Sequence, residues 1–347
     1  MGVRVSDAKT IAREWVYEEA SSLPGFCGAY FAGSINWYAD DAILPASSDL
    51  DLALVFESDS QVGERSKFLR HGVLIEVTRF SVEQLRSPER VLGNYHLASA
   101  FRTPSIILDP TGHLTALQSG VARDFAKRDW VRQRCADVRR RILDMLDLLP
   151  QAPGLYERVV GWLFPTGQTT HMLLMAGLRN PTVRKRYVAV RELLIEYGQF
   201  ELYEELLELL GCARMDRARV EHHLASVTGA FDAAKIVMKS PFPFGADLTE
   251  KSRPIAIGGS QELIEAGLHR EAVFWLVATY ARCEKVLSTD APAMAQEFEG
   301  GYRDLLLDLG IGSFADMQRQ ADRVRSMLGR VGQVSEAIIA PNSEITD

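Results

Sequence analysis

Asp49 and Asp51 stand at the mouth of a run otherwise made of Leu, Ala, Val and Phe, residues 50–56. Side chains alternate faces along a strand, so the two carboxylates point the same way, roughly 7 Å apart. They repel each other there, at a cost that a cation between them removes. Carboxylate oxygens suit Mg²⁺, a hard ion that usually keeps substrate phosphates among its partners.

Two further features bear on the same chemistry. Gly33-Ser34 ends an earlier apolar run and is separated from Asp49 by fourteen residues. A glycine there lets backbone amides come close to a phosphate, and Ser34 adds a hydroxyl donor. Glu76 sits amid Val73, Leu74, Ile75, Val77 and Phe80. A carboxylate in so apolar a run should not be buried unpaired. Its plain reading is a solvent-facing residue of a half-exposed sheet. Asp40 and Asp41 are adjacent, do not share a strand face, and read as a solvated loop.

The elements that must position these residues follow from periodicity. Ala8, Ile11, Ala12, Trp15 and Val16 form one stripe of a helix over 7–20, with Ser6 or Asp7 as its cap. Strands are expected at 26–32, 50–56 and 72–80, with a polar connection over 58–71. A helix over 82–102 carries His96, read as packed or exposed, and Arg102. A strand at 105–108 leads into the turn Asp109-Pro110-Thr111-Gly112 and a short return. A long helix over 120–149 ends at Pro150. Beyond it the pattern is helical: 154–163, 168–179, 182–197, 199–210, 217–228, 230–239, 259–285 with a break inside it, 292–309 and 313–332. Thr166 or Thr169 is expected to cap a helix. His222-His223 lacks a partner at metal-ligand spacing and reads as surface.

Gly-Ser, a spacer and Asp-hydrophobic-Asp-hydrophobic together resemble the signature of the DNA polymerase β-like nucleotidyltransferase superfamily. In layout the chain is most similar to the small-molecule members, the aminoglycoside and lincosamide adenylyltransferases. The resemblance implies an α+β architecture. A nucleotidyltransferase domain over 1–120, a small mixed sheet with flanking helices, would be followed by an all-helical domain over 121–347. It implies transfer of a nucleoside monophosphate, AMP being expected, from an NTP to a hydroxyl of a small molecule, with release of pyrophosphate. On that pattern Glu76 completes an acid triad, and Asp49, Asp51 and Glu76 hold two Mg²⁺ ions. Gly33 and Ser34 steady the β and γ phosphates, and Arg102 touches the triphosphate. The general base stays open among Glu76, Asp109 and acids of the helical half. That half is expected to shape the acceptor site and to offer a homodimer interface.

Composition narrows the alternatives. The 347 residues carry a net charge of −7, and residues 1–150 hold 18 basic and 20 acidic side chains. That balance argues against a nucleic-acid polymer as partner and for a small acceptor. The four cysteines are widely separated, so zinc and dithiol chemistry have no support. Reduced thiols, no signal-peptide core and no membrane-length apolar run give a cytoplasmic expectation. P-loop, Rossmann and zincin motifs do not occur. Two other readings remain: a regulatory enzyme that adenylylates a protein, and a non-catalytic nucleotide-binding relative.

Overall fold

A computed structural model of the protein describes residues 2–59, 62 and 65–347. The architecture is α+β, with a small mixed sheet first and a helical region after it. The chain divides into two compact units, Met1–Asp137 with Ser343–Asp347, and Val138–Asn342.

The first unit is built on five strands: β1 (Phe26–Phe31), β2 (Leu50–Phe56), β3 (Arg65–Arg70), β4 (Val73–Ser81) and β5 (Ile106–Leu108). Their order is β3-β4-β2-β1-β5, with β2 and β4 parallel and the other pairs antiparallel. Helix α1 (Val5–Glu18) covers one face. Its Val5, Ala8, Ala12 and Val16 pack with Leu50, Leu52, Leu54 and Phe56 of β2 and with Val73, Ile75 and Val77 of β4. These are alternate residues of each strand, so Asp51 and Glu76 belong to the opposite face.

The start of α1 differs from expectation. Ser6 and Asp7 lie inside its first turn, and no side chain caps it. The orphan N–H groups are met by backbone instead: Val5 donates to the Ala42 carbonyl and Ser6 to that of Asp40, both at 2.9 Å. The Asp40-Asp41 loop is thus the cap of α1.

The polar connection expected over 58–71 lies partly outside the described residues. Its described end, Arg65–Arg70, is strand β3, which pairs with β4 through the two-residue turn His71-Gly72. Both turn residues have positive φ, 46° and 82°, as the tight hairpin that follows strand twist requires. The helix expected over 82–102 is instead a series of short turns. Helix α2 (Pro88–Leu92) is capped by Ser87 and helix α3 (Tyr95–Ala98) by Asn94. Each cap bonds backbone amides that a continuous helix would need for itself. No return strand follows β5: Asp109 accepts from the Thr115 amide at 2.8 Å, and α4 (His113–Asp124) begins there. Helix α5 (Arg128–Leu148) is separate from α4, so the helix expected over 120–149 is broken at 125–127. The division between the units falls inside α5.

In the second unit α6 (Leu155–Ala176) runs straight through Pro165, joining two expected helices. Thr166 and Thr169 are interior residues and cap nothing. Their hydroxyls donate to the carbonyls of Trp162 and Thr166, at 2.7 and 2.6 Å, which lets both be fully buried. Helix α7 (Arg186–Glu196), α8 (Phe200–Leu210) and α9 (Arg217–Val237) follow, the last again merging two expected segments. Helix α10 (Gly259–Glu265) and α11 (His269–Asp290) are split near Gly267, inside the segment expected to contain a break. Every residue of α11 from Glu271 to Cys283 is buried, among α6, α9, α10 and α12 (Pro292–Asp308). Helix α13 (Phe314–Ile339) packs on α6. Among the described residues no helix is long and apolar enough to cross a membrane.

Candidate active site

The face of the sheet opposite α1 carries the acids. Asp51 on β2 is the direct partner of Glu76 on β4, and Asp49 lies just before β2 begins. One carboxylate oxygen from each of the three falls within 4.8 Å of the other two. Sheet register does this work: a parallel pairing shifted by one residue would turn one acid toward α1.

A lysine joins them. Lys67 on β3 faces Glu76 across the hairpin. Its Nζ lies 2.9 Å from Asp49 Oδ2 and 2.9 Å from Glu76 Oε2, and Arg65 adds a longer contact to Glu76 at 3.9 Å. Sequence reasoning missed this residue because it missed β3. The signal it had was His71-Gly72, a two-residue turn between two strand-length runs.

The charges are unevenly shared. Burial pushes the Asp51 carboxyl well above its ordinary range, and the charges of Asp49 and Glu76 push it further. Burial also raises Glu76, to about 7, against the pull of Lys67. Burial disfavours ionisation of Asp49 too, but the Lys67 ammonium outweighs it and holds Asp49 below its usual value. Burial and mutual repulsion thus disfavour three ionised carboxylates here, a cost that a bound cation would relieve.

Gly33 is the next neighbour. It opens a 3₁₀ turn, Gly33–Trp37, directly after β1, and the Ala32 amide donates to the Asp51 carbonyl at 2.9 Å. Gly33 has φ +60°, and a Cβ on it would sit 1.8 Å from Asp51 Oδ2. Glycine is therefore required twice over, for its backbone and for the space beside the carboxylate. Ser34 follows in the same turn, half-buried.

The other candidates are placed differently. The Arg102 guanidinium lies 5.3 Å from the Trp37 ring and 5.3 Å from that of Phe125, and bonds Glu344 at 2.7 Å. Trp37 closes the turn that Gly33 opens, so Arg102 packs against the far end of that turn. His96 is exposed on α3. Asp109 accepts from the Thr115 amide and hydroxyl, and although burial works against ionisation, these bonds hold its carboxyl low. It serves as a helix-start acceptor. A cavity of about 330 Å³ at the start of α5 is lined by Lys127, Arg128, Trp130, Gln133 and their neighbours, none of them from the acid cluster.

His222-His223 does have partners, from α12, some eighty residues on. His223 is fully buried rather than surface, and its Nε2 lies 2.7 Å from Asp308 Oδ2; His222 Nε2 is 3.4 Å from Asp304. Arg219 pairs with both aspartates. His222, His223 and Asp304 each bring a ligand atom within 4.8 Å of the others, which is metal-ligating spacing. Two facts oppose a metal there. Arg219 already neutralises the carboxylates, and His223 Nδ1 is buried without an acceptor. A metal on Nε2 would force the ring proton onto that unpaired nitrogen. The cluster reads as an ion-pair seam between α9 and α12.

The Asp49, Asp51 and Glu76 set fits a divalent cation better. All its donors are carboxylate oxygens, the choice of hard ions such as Mg²⁺, and Asp51 lies against the bare backbone of Gly33.

No family model matches the chain, and no curated protein does. Among solved structures it is similar to a nucleotidyltransferase-like protein from Exiguobacterium sibiricum 255-15, at 14% identity, covering 87% of this chain and 88% of that one, with a TM-score of 0.28. A likeness that loose carries no argument, and the reading of the site rests on its own residues.

Proposed function

We propose that the protein is a divalent-metal-dependent nucleotidyltransferase. It moves a nucleoside monophosphate, AMP being the expected one, from an NTP to a hydroxyl of a small molecule and releases pyrophosphate. One observation carries this reading. Three carboxylates, from β2, the residue before it and β4, meet on the sheet face opposite α1, with Asp51 against the Gly33 turn.

In the reaction the acceptor oxygen attacks the α-phosphorus. The bond from that phosphorus to the oxygen bridging the β-phosphorus breaks, and that oxygen leaves with pyrophosphate. The hydroxyl proton passes to a base or to water. Asp49, Asp51 and Glu76 would hold Mg²⁺, which supplies charge compensation for the triphosphate and acidifies the acceptor hydroxyl. Gly33 and Ser34 would present backbone and hydroxyl donors to the phosphates, and their fixed turn lowers the cost of orienting the nucleotide. Asp109 is already engaged as a helix-start acceptor and is a poor base. A small acceptor, with no nucleic-acid polymer, accords with the near balance of basic and acidic side chains over residues 1–150.

The test is pyrophosphate release with each of the four NTPs, Mg²⁺ and a panel of hydroxylated small molecules. Release that depends on an acceptor, and that Asp51→Asn abolishes in a folded protein, is the expected result. Labelled protein in place of labelled small molecule would move the reading to a protein-modifying enzyme. Absence of both release and nucleotide binding would overturn it.

A further inference from the structure

Lys67 reaches the acid site by register. It faces Glu76 across β3 and β4, and Glu76 faces Asp51 across β4 and β2. The three side chains therefore stand in one row on one face of the sheet. A lysine so placed is part of the site's construction, unlike a surface side chain that folds over a nearby charge. Its side chain is only 7% exposed, and its ammonium touches two of the three candidate ligands.

The space beside those ligands decides what else fits. Paired catalytic ions lie about 3.5–4 Å apart and share carboxylates. The Lys67 ammonium, 2.9 Å from both Asp49 and Glu76, already engages one oxygen of each, and a second ion would have to compete for them. Charge points the same way. Of the three carboxylates, Asp49 and Glu76 are already paired with the Lys67 ammonium, and Arg65 lies 3.9 Å from Glu76. A second divalent ion would press against the ammonium in a poorly hydrated place, where like charges repel strongly.

We infer that Lys67 is a built-in cation: the acid site takes a single divalent ion, and the Lys67 ammonium stands in for the second. This rests on the nucleotidyltransferase reading and replaces the two-ion arrangement that the family resemblance implies. Lys67 is on this account a positioning residue. It offsets the charge of Asp49 and Glu76 and fixes how many metal ions the site accepts.

The experiment counts Mn²⁺ on the full chain by electron paramagnetic resonance, with α,β-methylene-ATP present. The wild type is expected to bind one Mn²⁺ per chain. Lys67→Met, which keeps the stem and removes the charge, is expected to bind two, with the broadened spectrum of coupled ions. Lys67→Arg is expected to keep the count at one. Two coupled ions on the wild type, or one on Lys67→Met, would overturn the inference and leave the metal site intact. No Mn²⁺ on any folded variant would sink the nucleotidyltransferase reading itself, and the inference with it. The wild-type count decides the matter even if Lys67→Met does not fold.

Discussion

A methyl group on Gly33 would lie 1.8 Å from the Asp51 carboxylate, so the turn after β1 and the acid on β2 are fitted to each other. A side chain at position 33 would displace that of Asp51, although seventeen residues separate the two in the chain.

Gly33→Ala tests that fit. The residue must either hold a left-handed backbone, at about 1–2 kcal/mol, or push the Asp51 side chain aside. The expected outcome is a fall in melting temperature of several degrees together with loss of Mn²⁺ binding. Unchanged Mn²⁺ affinity would show that the turn and the acid are not coupled.

Removing residues 343–347 tests a second set of contacts in the first unit. The Thr346 amide donates to the Ala126 carbonyl and the Arg128 amide to that of Thr346, while Glu344 and Asp347 pair with Arg102 and Arg128. The ion pairs have exposed carboxylates and add little; the two backbone bonds contribute about 0.5–1.5 kcal/mol each. A loss of about 1–3 kcal/mol on urea unfolding is expected. Glu344→Gln alone should cost under about 1 kcal/mol, since Arg102 keeps its stacking on Trp37 and Phe125.

The seam between α9 and α12 should respond to acid. Burial lowers the His223 pKa. Burial opposes ionisation of Asp308, but its bonds to Arg219 and His223 outweigh this and hold it low. Both groups bind protons more readily once unfolded, so their contribution is present at neutral pH and is lost as pH falls. For His223 the loss begins near its ordinary value of 6.5, and for Asp308 near 3.8. Urea midpoints followed from pH 8 downward should fall, and His223→Gln should flatten the upper part of that fall. A midpoint that rises between pH 7 and 5 because of His223 would contradict the assigned direction.

The same seam offers a check by metal. Zn²⁺ should leave the melting temperature of the wild type and of His222→Ala alike, because Arg219 already occupies the carboxylates. His222→Ala itself should change stability by no more than about 0.5 kcal/mol, as an exposed substitution. A zinc-dependent rise abolished by His222→Ala would establish a metal site there.

Strands β1, β2 and β4 are legible in the sequence because they lie in the middle of the sheet and bury long apolar runs. The edge strand β3 is not. Arg65, Ser66 and Leu69 face solvent, so its run lacks apolar alternation, and only the His71-Gly72 turn betrays it. Lys67 was hidden with it. That Asp51 meets Glu76 depends on the register of two parallel strands whose pairing no local pattern states. In the helical unit, Thr166 and Thr169 looked like helix ends because such residues compete with backbone bonding. Burial and bonds to the preceding turn reverse that preference. His223 looked exposed because its partner, Asp308, is far away in sequence.

The tight hairpin at His71-Gly72 has an evolutionary consequence. It sets the pairing of β3 against β4, and a strand's faces exchange with every residue of slippage. One inserted residue in that loop would carry Lys67 to the underside of the sheet and leave every acid in place. The electrostatic character of this centre can therefore be rewritten by a change in loop length, at a position where no alignment of acidic residues would record the event.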